Sequence, residues 1–249
     1  WGASPEDLFL RLAAAGCTGG PSAPSPTPSA SVERPFTVMT TQAPSRFDPA
    51  AAATAADSIV ALNVFSRLMV VHPDGADLKP DLARDCLYTS STTYQCDLPP
   101  GLTFHNGHAL TASDVKFSIE RAYRLSVPAT SISLFDSLQR VDIVDDLTVR
   151  FELKYADTQF GYALATPAAG IVDEEIYDPD ALRSDEAEAV GSGPYALVTT
   201  ADDHLVFERF VPYRGALTGV IDTIKLQFIP DSTAAEKAVA EGTTDVVWR

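Results

Sequence analysis

Gly101-Leu102-Thr103-Phe104-His105-Asn106-Gly107-His108-Ala109-Leu110-Thr111-Ala112-Ser113-Asp114-Val115-Lys116-Phe117-Ser118 carries more of the architecture than any other part of the chain. Residues 102–104 have the apolar and β-branched character of a short strand. Asn106-Gly107 ends it, because both residues tolerate the positive φ of a tight reversal. Thr111 stands where a helix N-cap stands, its hydroxyl placed to accept from the N3 amide. Asp114 then sets a negative charge at the positive end of that helix. Val115, Ile119, Ala122 and Tyr123 recur at helical spacing and predict one buried stripe.

Upstream, residues 84–89 and 92–98 read as two strands around a Ser90-Ser91 turn. A reversal centred on Ser91 puts Cys86 opposite Cys96, and directly opposed residues lie close enough for a disulfide. The alternative is a pair of free buried thiols. Residues 36–39 predict a strand, and residues 42–49 a loop with Asp48-Pro49 as its turn signal. Ile59, Leu62, Val64, Phe65 and Leu68 predict a helix within residues 50–69, and Pro73-Asp74-Gly75 a turn after it.

Downstream, strands are expected at 141–144 and 148–153, the second alternating Val149, Phe151 and Leu153. A loop crosses at 167–172. Gly191-Ser192-Gly193-Pro194-Tyr195 leads into a strand at 196–199, joined through a turn at 201–203 to one at 204–209. A strand at 224–229, a helix at 234–241 stopped by Gly242 and a strand at 245–248 complete the reading. Hairpins early and alternating strands and helices late predict an α/β assembly with an α+β unit beside it.

The chain has 249 residues, 45% hydrophobic and 21% charged, with a formal net charge of −16. It holds no basic run, so a nucleic-acid partner is not expected, because phosphate binding needs a basic face. No run of about 18 apolar residues predicts a membrane-spanning helix. Residues 8–16 end in small residues before Cys17, and a Pro/Ser-rich stretch follows to about residue 33. That stretch lacks the large apolar groups of a core, and its prolines favour extended backbone. Small residues before a cysteine and such a tether look like a bacterial lipoprotein signal (residues 1–17) with Cys17 as the lipidated residue. A chance cysteine in an Ala-rich leader is the alternative. The start at Trp1 and the strand-like ending are read as those of the N-terminal portion of a longer protein.

Catalytic and metal chemistry find little support. His105 and His108 sit on a tight turn with no cysteine or glutamate at a usual zinc spacing, and are read as solvated. Gly191-Ser192-Gly193 is not a nucleophile elbow, and its glycines are read as permitting a tight turn. Asp173-Glu174-Glu175 reads as a solvated acidic face, and Asp145-Asp146 as a turn. No cofactor, catalytic residue or metal ligand is assigned.

Three segments together resemble family 5 of the bacterial extracellular solute-binding proteins, the peptide, nickel and related binders of ABC importers. The first is residues 101–118. The second is Gly191-Ser192-Gly193-Pro194-Tyr195 with Glu208-Arg209 and Tyr213-Arg214-Gly215. The third is Ile229-Pro230-Asp231-Ser232-Thr233 with Ala240-Glu241-Gly242-Thr243-Thr244-Asp245-Val246. His105-Asn106, Arg214 and Thr243-Thr244 depart from the family's usual residues. The resemblance implies an α/β, two-lobed periplasmic-binding-protein-like fold of type II with an extra domain. Residues 34–48 and 166–249 would supply lobe one, incomplete here, and residues 49–165 the extra α+β domain. It implies a small-molecule solute, oligopeptide before nickel complex or sugar, with ABC permease subunits as partners and an extracytoplasmic location on a lipid anchor. It points to Thr54 and Ala55, to Ser131, Ser133 and Phe135, and to Thr166 as ligand contacts. A secreted hydrolase or metal-dependent enzyme, and a solute sensor of the same fold, are the rivals.

Overall fold

The computed structural model describes residues 34–71, 77–184, 188–217, 219, 221–229 and 231–248. The leader, its Cys17, the Pro/Ser tether to residue 33 and the Pro73-Asp74-Gly75 turn lie outside the described residues. The elements in chain order are β1 (Phe36–Thr40), α1 (Ala55–Val64), β2 (Met69–Val71), β3 (Leu78–Pro80), β4 (Asp85–Ser90), β5 (Thr93–Asp97), α2 (Ala112–Leu125), β6 (Leu138–Asp145), β7 (Thr148–Leu153), α3 (Phe160–Ala163), β8 (Tyr195–Thr200), β9 (His204–Arg209), β10 (Thr223–Phe228), α4 (Ser232–Ala240) and β11 (Val246–Trp248). Short 3-10 turns stand at Pro49–Ala51, Ser131–Phe135 and Pro167–Ala169.

Helix α2 starts as its sequence dictates. Thr111 Oγ1 accepts from Ser113 N at 3.2 Å, and Asp114 Oδ2 accepts from Thr111 N at 2.9 Å, closing a reciprocal capping box. Val115, Ile119 and Ala122 are buried. Tyr123 is not: it is 42% exposed, with the Lys154 ammonium 5.8 Å from its ring. It lies one residue past the stripe, and Arg121 takes the adjoining buried position instead. Residues 102–104 form no extended strand. Only a Thr103–Ala109 bridge forms, because Gly107, at φ 88°, folds the chain back at once.

Helix α2 covers a four-stranded antiparallel sheet in the order β4-β5-β7-β6. On β7 the alternation sends Val149, Phe151 and Leu153 into the core, where they meet Tyr94, Cys96, Phe104, Phe135 and Phe160. Cys86 and Cys96 are paired across β4 and β5 and joined by a disulfide, with Cα atoms 4.1 Å apart. A bulge between Tyr88 and Ser90 shifts the reversal to Ser91-Thr92.

The second layer is a mixed five-stranded sheet in the order β11-β1-β10-β9-β8. β1 runs parallel to both its neighbours, and β10, β9 and β8 pair antiparallel. Its core holds Tyr195, Leu197, Leu205, Phe207 and Leu226, and against them Val60, Val64 and Phe65. Helix α1 therefore belongs to this layer and not with the rest of residues 49–165. Its buried face meets β8, and the other core begins only at Leu68. α1 is also shorter than the apolar pattern of residues 50–69. The Thr54/Asp57 capping box starts it, and the chain turns extended at Phe65. β2 and β3 escaped the sequence reading, since three-residue strands have no period to detect.

Gly191 and Gly193 serve close approach, not positive φ. A Cβ on Gly191 would sit 2.1 Å from Val64 O, and one on Gly193 2.4 Å from Asn63 O. Gly193 N donates to Val64 O at 2.8 Å, so the end of α1 rests on bare backbone.

Candidate functional site

The three segments expected to face solute converge. The 3-10 turn at Pro49–Ala51 packs on that at Pro167–Ala169, and α1 and Ser131–Phe135 close on the same turn. Gly170 allows this approach, because a Cβ there would lie 2.7 Å from Pro49 Cβ. Ser131 Oγ accepts from Ala168 N at 3.3 Å, tying two of the segments. Thr166 Oγ1 donates to Ala163 O at 2.7 Å. Thr54 Oγ1 accepts from Asp57 N at 3.1 Å in its cap.

These roles leave hydrogen-bonding capacity. A hydroxyl that accepts one bond still has a proton to donate, and one that donates still has lone pairs. Thr54, Ala55 and Ser133 are exposed, and Ser131 and Thr166 are half-buried. Phe135 corrects the sequence reading. It is 1% exposed and sits edge-on to Phe160 in the core, where no solute reaches it. A lone phenylalanine closing a five-residue 3-10 turn gives no sequence sign of which way it points.

Two arginines are buried beside aspartates. Arg121 reaches from α2 to the loop before α1. Its Nη1 and Nη2 bind the two oxygens of Asp48 at 3.0 and 2.6 Å, and Nε and Nη2 donate to the carbonyls of Asp178 and Ala181, each at 2.7 Å. Asp48 accepts in addition from Ala50 N and Arg183 N. Arg67, just after α1, lies 4.0 Å from Asp81, whose Oδ1 accepts from Tyr213 OH at 2.5 Å and from Ala216 N at 3.0 Å. Neither pair was legible in the sequence, because partners 73 and 14 residues apart carry no motif.

The histidines of residues 105–108 are not simply solvated. His105 packs on Phe210, with Nε2 3.1 Å from Gly193 O. Burial pushes it below the usual histidine range, against the favourable Gly193 contact. His108 Nδ1 lies 2.7 Å from Asp173 Oδ2 and 3.3 Å from Glu175 Oε2, so the tertiary fold supplies the carboxylates that local spacing lacked. Asp173 is itself buried, contrary to its reading as a solvated acid. Ser192 is buried with its hydroxyl bonded to that of Ser66. No helix among the described residues is long and apolar enough to cross a membrane.

Comparison with known proteins adds four findings. The family model "Bacterial extracellular solute-binding proteins, family 5 Middle" matches residues 77–249. The glutathione-binding protein GsiB of Pectobacterium atrosepticum is 32% identical over 155 residues, covering 60% of this chain and 29% of that protein. The HTH-type transcriptional regulator SgrR of the same organism is 26% identical over 183 residues, covering 74% of this chain and 31% of that protein. The chain thus spans less than a third of either relative. Among solved structures, the dipeptide binding protein of Pseudoalteromonas sp. SM9913 in complex with Met-Leu superposes with a TM-score of 0.73 at 21% identity, covering 86% of this chain and 47% of that one. That likeness establishes the fold as part of the two-lobed α/β architecture of these binders.

Proposed function

Because the chain belongs to family 5 of the bacterial extracellular solute-binding proteins, we propose that it is part of the substrate-binding component of an ABC importer, capturing oligopeptides outside the cytoplasm and delivering them to a membrane permease. The observation that carries this reading is the family match over residues 77–249 on a fold shared with a protein that holds Met-Leu. The GsiB likeness points the same way, since glutathione is also built of amino acids. The protein acts by binding without turnover.

In this reading residues 34–48 and 166–249, with α1, make up lobe one, and the rest of residues 49–165 the extra domain. Thr54, Ser131, Ser133 and Thr166 present hydroxyls to the peptide amides, and Ala55 leaves room for them. Closure of the lobes on the solute creates the surface that the permease reads. Cys17 carries the lipid, and the Pro/Ser tether spaces the binder from the membrane.

Calorimetry of the full-length protein against di- to pentapeptides tests the assignment, with mass spectrometry of the recovered peptides. Saturable binding with peptides returned intact supports it; cleavage of the peptides would overturn it. Radiolabelled fatty acid should enter the protein and be lost on Cys17→Ser. The SgrR likeness motivates one other reading, a solute sensor of the same fold. Deleting the gene separates the two: an importer component abolishes uptake of labelled peptide, whereas a sensor leaves uptake intact.

A further inference from the structure

His108, Asp173 and Glu175 come from two segments far apart in sequence, yet offer one nitrogen and two carboxylate oxygens within 4.8 Å of one another. The Asp173 carboxylate is 1% exposed. Its Oδ1 accepts from Glu175 N at 2.9 Å, and its Oδ2 accepts from Asn106 Nδ2 at 2.8 Å while facing His108 Nδ1. Such bonds hold a carboxylate in one orientation, as outer-shell partners do around metal ligands. Among the described residues, the ion pairs of Asp173 and Glu175 both run to His108, so no lysine or arginine neutralises them. We propose that these three side chains bind a divalent first-row transition cation of the zinc, nickel or copper class.

A neutral imidazole and two carboxylates balance a charge of two. Mixed nitrogen and oxygen donors suit these cations, whereas magnesium and calcium favour oxygen alone. Tetrahedral bonds of about 2.0–2.1 Å place neighbouring ligand atoms about 3.3 Å apart. Glu175 Oε2 and His108 Nδ1 already stand at 3.3 Å. Asp173 Oδ2, at 2.7 Å from His108 Nδ1, has to open by about 0.6 Å, and the two carboxylate oxygens lie within 4.8 Å of each other. His108 and Glu175 lie toward solvent, which leaves a route for the ion and room for water as a fourth ligand. The cation would pin the 105–108 turn to the segment whose Val172 and Tyr177 enter the core of the five-stranded sheet. Because it binds the folded site, it would raise the melting temperature.

The test uses the tag-free chain carrying Cys17→Ser, stripped with chelator and kept free of reductant so that the disulfide survives. Calorimetric titration with zinc chloride and then nickel chloride is expected to show saturable one-site binding, with a rise in Tm. His108→Ala and Glu175→Gln should each weaken binding by about tenfold or more, while His204→Ala leaves it unchanged. Absence of saturable binding below about 1 mM overturns the site. So does unchanged affinity in His108→Ala. If circular dichroism shows that His108→Ala does not fold, Glu175→Gln decides alone, since that side chain is 72% exposed and its loss spares the core. The outcome is independent of the solute reading, because it concerns metal salts and not peptides.

Discussion

Arg121 and Arg67 are both buried beside an aspartate, and they are held in opposite ways. Arg121 meets Asp48 with two parallel hydrogen bonds, gives two further donors to backbone carbonyls, and lies 5.4 Å from the Tyr177 ring centre. Arg67 stands 4.0 Å from Asp81; among the described residues its guanidinium reaches only the carbonyls of Leu62 and Phe65, at 3.2 and 3.4 Å, and its buried Nε has no partner. Burial pushes the Arg67 guanidinium below its usual range, and Asp81 and Tyr213 only partly offset this. Asp81 takes its strong bonds from Tyr213 and Ala216 instead. Burying an ion pair costs desolvation that close geometry alone repays. Arg121 is thus a joint between α2 and the loop before α1, while Arg67 fills space beside a carboxylate that other groups satisfy.

This contrast can be broken by measurement. Asp48→Asn leaves the Arg121 charge buried without its counter-ion and should cost about 3–5 kcal/mol in urea unfolding at neutral pH. Loss of the Cys86–Cys96 bridge, which touches neither arginine, gives a gauge on the same curves and should cost roughly 2–3 kcal/mol. Arg67→Met should cost less, about 1–2 kcal/mol, because Asp81 keeps its other donors. A loss as large as that of Asp48→Asn would remove the distinction.

Tyr213→Phe sharpens the contrast at the weak end, with an expected loss of about 1 kcal/mol. It also has a pH signature. Burial, then the neighbouring Asp81, raises the Tyr213 phenol above its usual 10.0. The unfolded chain gives up that proton near pH 10 and the native protein holds it longer. The stability it contributes is therefore full below pH 10 and drains away as pH rises further. Urea midpoints measured from pH 8 to 11 should fall less steeply for Tyr213→Phe than for the parent.

Local features were legible from residue order. The N-cap at Thr111, the alternation on β7, the pairing of Cys86 opposite Cys96 and the Gly242 stop at φ 66° each depend on neighbours a few positions away or on a single hairpin. The helix from residue 50 was overdrawn because apolar spacing continues past the point where Phe65 turns extended. The roles of Gly191 and Gly193 were misread for a different reason. A glycine needed for approach and one needed for positive φ look identical until the opposing backbone is in place.

The candidate surface divides the same way. Thr54, Ser131 and Thr166 lie on segments that the family resemblance singled out, and the fold draws those segments together around Pro167–Ala169. Phe135 was lost to the core because burial depends on what packs above a residue, here Phe160. His108 went the other way, gaining Asp173 and Glu175 from a segment 65 residues downstream.

By itself the sequence determined the family, the order of elements and the local caps and turns, since these rest on interactions within a few residues. Only the tertiary structure decided that α1 sits on the five-stranded sheet, which arginine is a joint and which a filler, and that His108 faces two carboxylates. Those outcomes depend on distances between segments far apart along the chain, and one-dimensional spacing does not encode the desolvation and geometry that choose among them.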